Sequence, residues 1–344
     1  MKISVCIPQY NRIDFLLYNL DRIAVQSYPN IEVVISDDCS TDDTEHQIEE
    51  LSKTFRFPIV YSRSEFNVGY DRNLRRVLEM ASGEYAVVLG NDDAFSGPDS
   101  VKSLVSFLQD NGLPEIGFCN MVEGRSEGAV IRRAIGSRVI GSGAAVALRY
   151  YSSFSFVGGL FFKLDTFRSV NTDKADGSIY SQIYLAVSMI LKGGRLFCLD
   201  DSLVIMDTCM GNLSRGSYKD RIARQWKDFR VVDGGLPSVI HVLIMAFLDS
   251  GQLTQQVLYR LFKKTYVNTF PYWIMDYRFH KAFPEAWGLF RGLNPSRNLD
   301  FRLLTRMNRV KIRLYYWLFA GVSLSLPVRV LKYLSSKIYR VIKK

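Results

Sequence analysis

Within the first 95 residues, short runs of branched apolar residues break off at acids or turn formers, and each break leads into helical spacing. KISVCIP (2–8) stops at Pro8, IEVVIS (31–36) at Asp37 and Asp38, IVYSR (59–63) at a polar turn, and YAVVL (85–89) at GNDD. Between them, Phe15, Leu16, Leu20, Ile23 and Ala24 recur at helical intervals over 14–26, and CSTDDT offers capping side chains for a helix reaching about Lys53. A third helix covers Asn73 to Ala81. Strands alternating with helices at this interval predict parallel βαβ units, one sheet covered on both faces, and hence an α/β fold.

The stretch AVVLGNDDAF (86–95) then poses a chemical question. A strand that reads as fully buried ends in Asn91, Asp92 and Asp93, and two adjacent carboxylates need a cation, an ion-pair partner or water. Ligands of open α/β sheets bind outside the carboxyl ends of the strands, where these acids and Asp37/Asp38 fall. Acids at helix starts also serve simply as caps, which suits Asp42 and Asp43. That explanation suits Asp92 and Asp93 less well, because GNDDAFSGPDS is a turn-rich loop and the next helix begins near Asp99.

Composition narrows the class. With 344 residues, 48% of them hydrophobic, the chain can bury one large core or two, which excludes disorder and a multi-span membrane protein. The net charge of +10 belongs to one end: residues 301–344 hold eleven Lys/Arg and no acid, so the remainder is close to neutral. Five scattered cysteines form no CxxC pair or metal spacing, as expected of reduced thiols in the cytosol. MKISVCIPQYN lacks the pattern of a signal peptide. The first strand leads into PQYNR and not into a glycine-rich phosphate turn, which argues against a dinucleotide-dependent oxidoreductase. The basic tail is interleaved with apolar runs, so nucleic acid is not its expected partner. LYYWLFAGVSLSLPV (314–328), flanked by Lys311, Arg313, Arg329 and Lys332, is shorter than the ~20 residues a spanning helix needs. It reads as an interfacial element on anionic lipid, as a dimer-forming helix (hence a homo-oligomer), or as a core-packed one.

Four landmarks in order, CIPQYNR (6–12), SDDCSTDDT (36–44), NVGYDRN (67–73) and LGNDD (89–93), together resemble the family 2 glycosyltransferases with the GT-A fold. Within that family the resemblance is to bacterial O-antigen sugar transferases of the abequosyltransferase type. It covers about residues 1–215. It implies a Rossmann-like, mostly parallel sheet covered by helices, forming a catalytic domain over 1–215. The rest of the chain is then a helical extension over 216–300 and a basic, aromatic, membrane-associating tail over 301–344. The activity implied is metal-dependent sugar transfer from a nucleotide diphosphate sugar to a lipid-linked oligosaccharide, peripherally at the cytoplasmic face of the bacterial inner membrane. The competing class is a non-catalytic, membrane-bound scaffold on the same fold.

The resemblance carries roles onto particular residues. Asp92 is the first expected ligand of Mg²⁺ or Mn²⁺ and Asp93 the second, Asp93 either ligating the metal or hydrogen-bonding the sugar. Gly90 stands where the family usually has its first acid. Asp38 corresponds to the nucleobase-recognising acid, or else caps a helix. Pro8, Tyr10 and Arg12 belong to the loop around the base. Asn67, Gly69 and Arg72 face the ribose or phosphate, although Arg72 also reads as a surface arginine, and Asn91 joins the same nucleotide-sugar set. Gly158 and Gly159, inside the apolar run 154–163, line the sugar and acceptor loop or only pack the core. The stretch 176–194 reads as a helix with Gln182 where the family has an acidic base, leaving Asp176 as the nearest acid upstream. Asn212, Ser214 and Arg215 lie in a loop that closes over the diphosphate, or in an ordinary surface loop.

Overall fold

The computed structural model describes residues 1–124, 128–208, 236–279 and 281–331, except the side chains of Leu236, Pro237 and Asp276, and the structural statements below concern these residues. The chain divides into two compact units, Met1–Gly216 and Ser217–Lys344.

The first unit opens with β1 (Ile3–Gln9), α1 (Ile13–Ala24), β2 (Ile31–Asp37), α2 (Thr44–Ser52), β3 (Ile59–Arg63), α3 (Tyr70–Met80) and β4 (Tyr85–Val88). These are the strands and helices the apolar runs predict, and β3-β2-β1-β4 pair in parallel. There follow β5 (Ala94–Phe95), α4 (Ser100–Asp110), β6 (Ile116–Glu123), β7 (Val130–Ile131), β8 (Arg138–Gly141) and α5 (Ala144–Tyr150). The unit ends with β9 (Leu160–Lys163), α6 (Leu164–Val170), α7 (Ser181–Leu191) and β10 (Leu196–Met206). One ten-stranded sheet results, in the order β3-β2-β1-β4-β9-β6-β10-β5, with β7 on β6 and β8 on β10.

The sheet is mixed, because β9 runs antiparallel between β4 and β6. Gly159 makes that reversal possible: its φ of +69° suits glycine, and its amide donates to the Val88 carbonyl at 2.9 Å, after which Leu160 pairs with both Val88 and Phe118. Ile3, Val5 and Ile7 of β1, Val33 and Ile35 of β2 and Val87 of β4 are fully buried in one cluster with Leu16, Leu20 and Ile23 of α1, each such side chain contributing about 1.5–3 kcal/mol. Phe161 and Phe197 stack at 5.8 Å across the sheet. A Cβ at Gly117 would fall 2.3 Å from the Phe197 ring, so this packing requires glycine there.

Helix α7 is shorter than its apolar spacing predicts. Residues 176–180 stay outside it, and Ile179 adopts a left-handed φ of 61° just before the helix starts.

The second unit is helical. It comprises α8 (Leu236–Asp249), α9 (Gln255–Lys264), α10 (Phe270–Phe279), α11 (Phe283–Gly292), α12 (Arg306–Tyr315) and α13 (Val322–Ser325). A π-helical turn over Thr265–Thr269 joins α9 to α10, and another over Tyr316–Gly321 joins α12 to α13. The core is aromatic: Tyr266 meets Phe270 edge-on at 4.8 Å, and Tyr316 stacks on Phe290 at 4.8 Å. Both buried phenols donate to carbonyls, Tyr266 to Leu293 and Tyr316 to Phe290, as buried hydroxyls must. The run 314–328 is therefore partly core, since Tyr316, Ala320 and Leu324 are buried, yet Leu314, Trp317 and Leu318 are exposed. Among the described residues, no helix is long and apolar enough to cross a membrane.

Candidate active site

The carboxyl ends of β1, β2 and β4 meet at one edge of the sheet, where three non-glycine residues, Asn11, Arg12 and Cys39, hold left-handed φ angles of 52°, 66° and 63°. Such conformations are sparsely populated and persist only where neighbours fix them. Side chains do so here. The Asn11 Oδ1 accepts from the Thr41 amide at 2.7 Å, and the Asn11 amide donates to Ser40 Oγ at 2.7 Å. Asp42 accepts from the Ile13 amide at the start of α1 and from the Thr44 amide and hydroxyl at the start of α2, so one carboxylate ties both helix starts. Asp37 is fully buried and satisfied by Ser40 and the Tyr61 hydroxyl, which makes it a structural acid.

The acidic loop answers the charge question asymmetrically. Asp92 stays partly open to solvent, and its Oδ2 lies 3.1 Å from Arg12 Nη1, whose guanidinium sits 4.5 Å over the Phe15 ring. The Asp92 carbonyl accepts from both the amide and the hydroxyl of Thr208, each at 2.8 Å, just beyond the end of β10. Asp93 is buried, accepting from the amides of Gly90 at 2.9 Å and Asp207 at 3.3 Å. Burial, with the adjacent Asp92 charge second, pushes its carboxyl well above the usual carboxylate range.

Two glycines enclose Asp93. A Cβ on Gly158 would lie 2.3 Å from Asp93 Oδ2, and one on Gly90 would lie 2.8 Å from the same atom. A side chain at position 90 would therefore meet the Asp93 carboxylate unless that carboxylate moved. Arg133, which no sequence motif marks, fixes the Gly158 loop. Its Nε donates to the Cys119 carbonyl, and its Nη atoms reach the carbonyls of Ser153, Phe156, Gly158 and Gly159 between 2.9 and 3.5 Å. All these partners are neutral. Burial lowers its pKa.

The expected nucleotide-sugar residues fall into two groups. Arg12, Asn91 and Asp92 gather around the acidic loop, with Asn91 Nδ2 donating to the Asn11 carbonyl at 3.3 Å. Asp38 accepts from the amides of Val68 at 2.6 Å and Gly69 at 3.0 Å, while Asn67 donates to the Asp38 carbonyl. Asp38 thus organises the NVG turn, and Gly69, at φ +86°, stands as N-cap of α3. A carboxylate offers about four lone-pair sites, so Asp38 retains acceptor capacity for a further donor. Pro8 lies within β1, paired in register with Ser36. Tyr10 and Arg72 are exposed.

Asp176 stands apart from the acidic loop in a bidentate pair with Arg75 of α3, at 2.9 and 2.7 Å. Both of its oxygens are committed to that guanidinium. Asp71, another acid the sequence analysis left without a role, is buried and accepts from the amides of Ile179 and Ser181, capping α7 from α3. Burial raises its pKa. Gln182, in the first turn of α7, is buried with no hydrogen-bond partner on Oε1. Such an orphaned acceptor costs about 1–3 kcal/mol unless a ligand supplies a partner. Asn212, Ser214 and Arg215 lie outside the described residues.

Among the described residues, no three His, Cys, Asp or Glu side chains form a ready metal cage. One open carboxylate, Asp92, beside an enclosed one fits a divalent cation that takes most of its oxygens from phosphates and water.

The family model described as glycosyl transferase family 2 matches residues 4–145, the stretch that contains this edge. Over 125 residues the chain is 39% identical to abequosyltransferase RfbV of Salmonella typhimurium, which is 36% of this chain and 37% of that protein. It is 31% identical over 109 residues to the putative teichuronic acid biosynthesis glycosyltransferase TuaG of Bacillus subtilis, or 31% of this chain and 42% of that one. The chain thus matches less than half the length of either relative. In fold it resembles residues 1–349 of S. aureus TarS, at TM-score 0.60 and 17% identity over 92% of this chain and 91% of that one. It also resembles the mannosyltransferase PcManGT of Pyrobaculum calidifontis, solved with GDP-Man and Mn²⁺, at TM-score 0.54 and 17% identity over 94% and 86%. The α/β fold with a mixed, mostly parallel sheet is that of the GT-A glycosyltransferases.

Proposed function

We propose that this protein transfers a sugar, with a deoxyhexose such as abequose the first candidate, from a nucleotide diphosphate donor to a lipid-linked glycan in bacterial surface-polysaccharide synthesis. On this reading it works peripherally at the cytoplasmic face of the inner membrane. The match of residues 4–145 and the names of the relatives support the reaction class. The single observation that carries it is the asymmetry of the acidic loop: Asp92 open and paired with Arg12, Asp93 enclosed behind it.

Asp92 would hold Mg²⁺ or Mn²⁺, with Asp93 fixing the loop from behind or reaching the sugar. When bound, such a cation stabilises charge on the departing diphosphate. Arg12 then exchanges Asp92 for a phosphate oxygen, keeping a charge-assisted bond in either state. Tyr10 presents an exposed ring on which a base can stack, and Asp38 keeps acceptor capacity for a base N–H. Gln182 brings a buried amide oxygen in need of a partner, which positive charge on the sugar ring would supply. Asp176, held by Arg75, is left as a structural acid on this reading.

A panel of nucleotide sugars and lipid-linked glycans, read by product mass, tests the proposal. Asp92→Asn should lower transfer at least ~100-fold with an unchanged melting temperature, the scale on which charge stabilisation acts in such sites. Near-normal turnover in EDTA, or no nucleotide diphosphate released from any donor, overturns it.

A further inference from the structure

Helix α12 and the π-helical turn after it are apolar on two opposite faces. Ile312, Tyr316 and Ala320, four residues apart, are buried, with Tyr316 locked onto Phe290 by stacking and a hydrogen bond. Met307, Val310, Leu314, Trp317 and Leu318 follow the other helical period and are between 47% and 65% exposed. A helix seated in a globular unit needs one apolar face, and its second face is ordinarily polar. Here the second face combines four aliphatic side chains and an indole, a concentration that marks an interaction surface.

Its charged margin identifies the partner. At about 100° per residue, Arg306 and Arg313 border the stripe on one side and Lys311 on the other. All three are exposed, and no acid occurs anywhere in 301–344. We infer that this face docks on an anionic lipid surface: the stripe enters the headgroup boundary, and the basic margin contacts the headgroups. Lys311 and Arg313 lie over the Tyr259 and Phe301 rings and meet no acid there, so a second copy fits poorly, because a two-fold contact sets positive margins against each other. A protein partner would need an acidic rim around an apolar groove, whereas a lipid interface supplies both properties at once. Trp317 has the amphipathic side chain favoured at that boundary. The short helix would lie in the interface plane. The inference deepens the proposed function by specifying how the chain meets the membrane that carries its acceptor.

The test uses the full chain and vesicles of phosphatidylcholine, with or without phosphatidylglycerol, at low salt and without donor or acceptor. Its result is therefore independent of whether transfer occurs. Wild-type protein should sediment with the anionic vesicles and not with the neutral ones. The double variant Leu314→Ser, Trp317→Ser, changed only at exposed positions, should bind at least ~10-fold more weakly with its circular dichroism unaltered. Arg306→Gln with Arg313→Gln should weaken binding and flatten its salt dependence. Wild-type protein that ignores anionic vesicles overturns the inference. So does undiminished binding by the serine variant, which would assign binding to other basic residues. A wild-type dimer that this variant turns into a monomer would give the face to a second copy instead.

Discussion

The two edges of the same sheet each hide a carboxylate from solvent and treat it in opposite ways. At the amino edge, Glu32 accepts from Lys2 Nζ at 2.7 Å, from the Ser4 hydroxyl, and from the amide and hydroxyl of Ser82. Burial alone would raise its pKa, but the bonds from Lys2, Ser4 and Ser82 outweigh it and hold the carboxyl down at about 2. At the carboxyl edge, burial first and the Asp92 charge second push the Asp93 pKa up, and its two amide donors do not offset them. Satisfying a buried charge makes it scaffold. Leaving it crowded beside an open neighbour makes a carboxyl whose ionised form a nearby cation would favour.

The sharpest way to break this contrast is to disturb the crowding alone. Gly158→Ala places a Cβ where Asp93 Oδ2 now sits, so either the acidic loop or the 153–159 loop must shift. Transfer should fall about 100-fold, the loss that follows an ångström-scale misplacement at a reacting centre, with stability reduced far less. Kinetics alongside thermal melts check this, and unaltered kinetics would mean that the enclosure of Asp93 is immaterial.

The opposite edge should respond in stability. Glu32→Gln removes a charge that four donors serve and should cost about 2 kcal/mol in urea unfolding, while turnover per folded molecule stays as in the wild type. A pH series sharpens this. The folded carboxyl titrates at about 2, below its unfolded value of about 4.3, so its stabilisation is complete above the unfolded pKa and disappears as pH falls toward 2. The Gln variant should lack that part of the acid transition. Parallel pH profiles would show that Glu32 is not the group responsible.

The smallest effect is expected at Asp176. Losing its bidentate pair with Arg75 through Asp176→Ala should cost about 1 kcal/mol of stability and leave transfer within a few-fold. A loss of ~100-fold in turnover would make it the proton acceptor of an inverting reaction, and NMR of the product's anomeric proton would then show inverted configuration.

Much of the first edge was legible in the sequence. Strands buried on both faces read as continuous apolar runs, so the ends of β1, β2 and β4, and the acids just beyond them, could be located directly. Which of Asp92 and Asp93 would be enclosed could not be read. That depends on Gly158 and on β5 pairing with β10, and these partners lie dozens of residues downstream. Arg133 gave no signal because its partners are backbone carbonyls, which every sequence has. Asp71 sat inside a motif already quoted, but its target is the start of α7, more than a hundred residues away. In the second unit the apolar period was visible, but both faces of α12 carry it, so periodicity alone could not choose the buried one.

The carboxylate of Asp42 has a consequence for how this edge of the sheet would respond to a ligand. One of its oxygens holds the first amide of α1 and the other the first turn of α2, so ordering this one side chain favours both helix starts. A ligand that orders one of these loops would thereby help to order the other. Discrimination among ligands at such an edge would appear as weak contacts to either loop reinforcing each other through a single side chain.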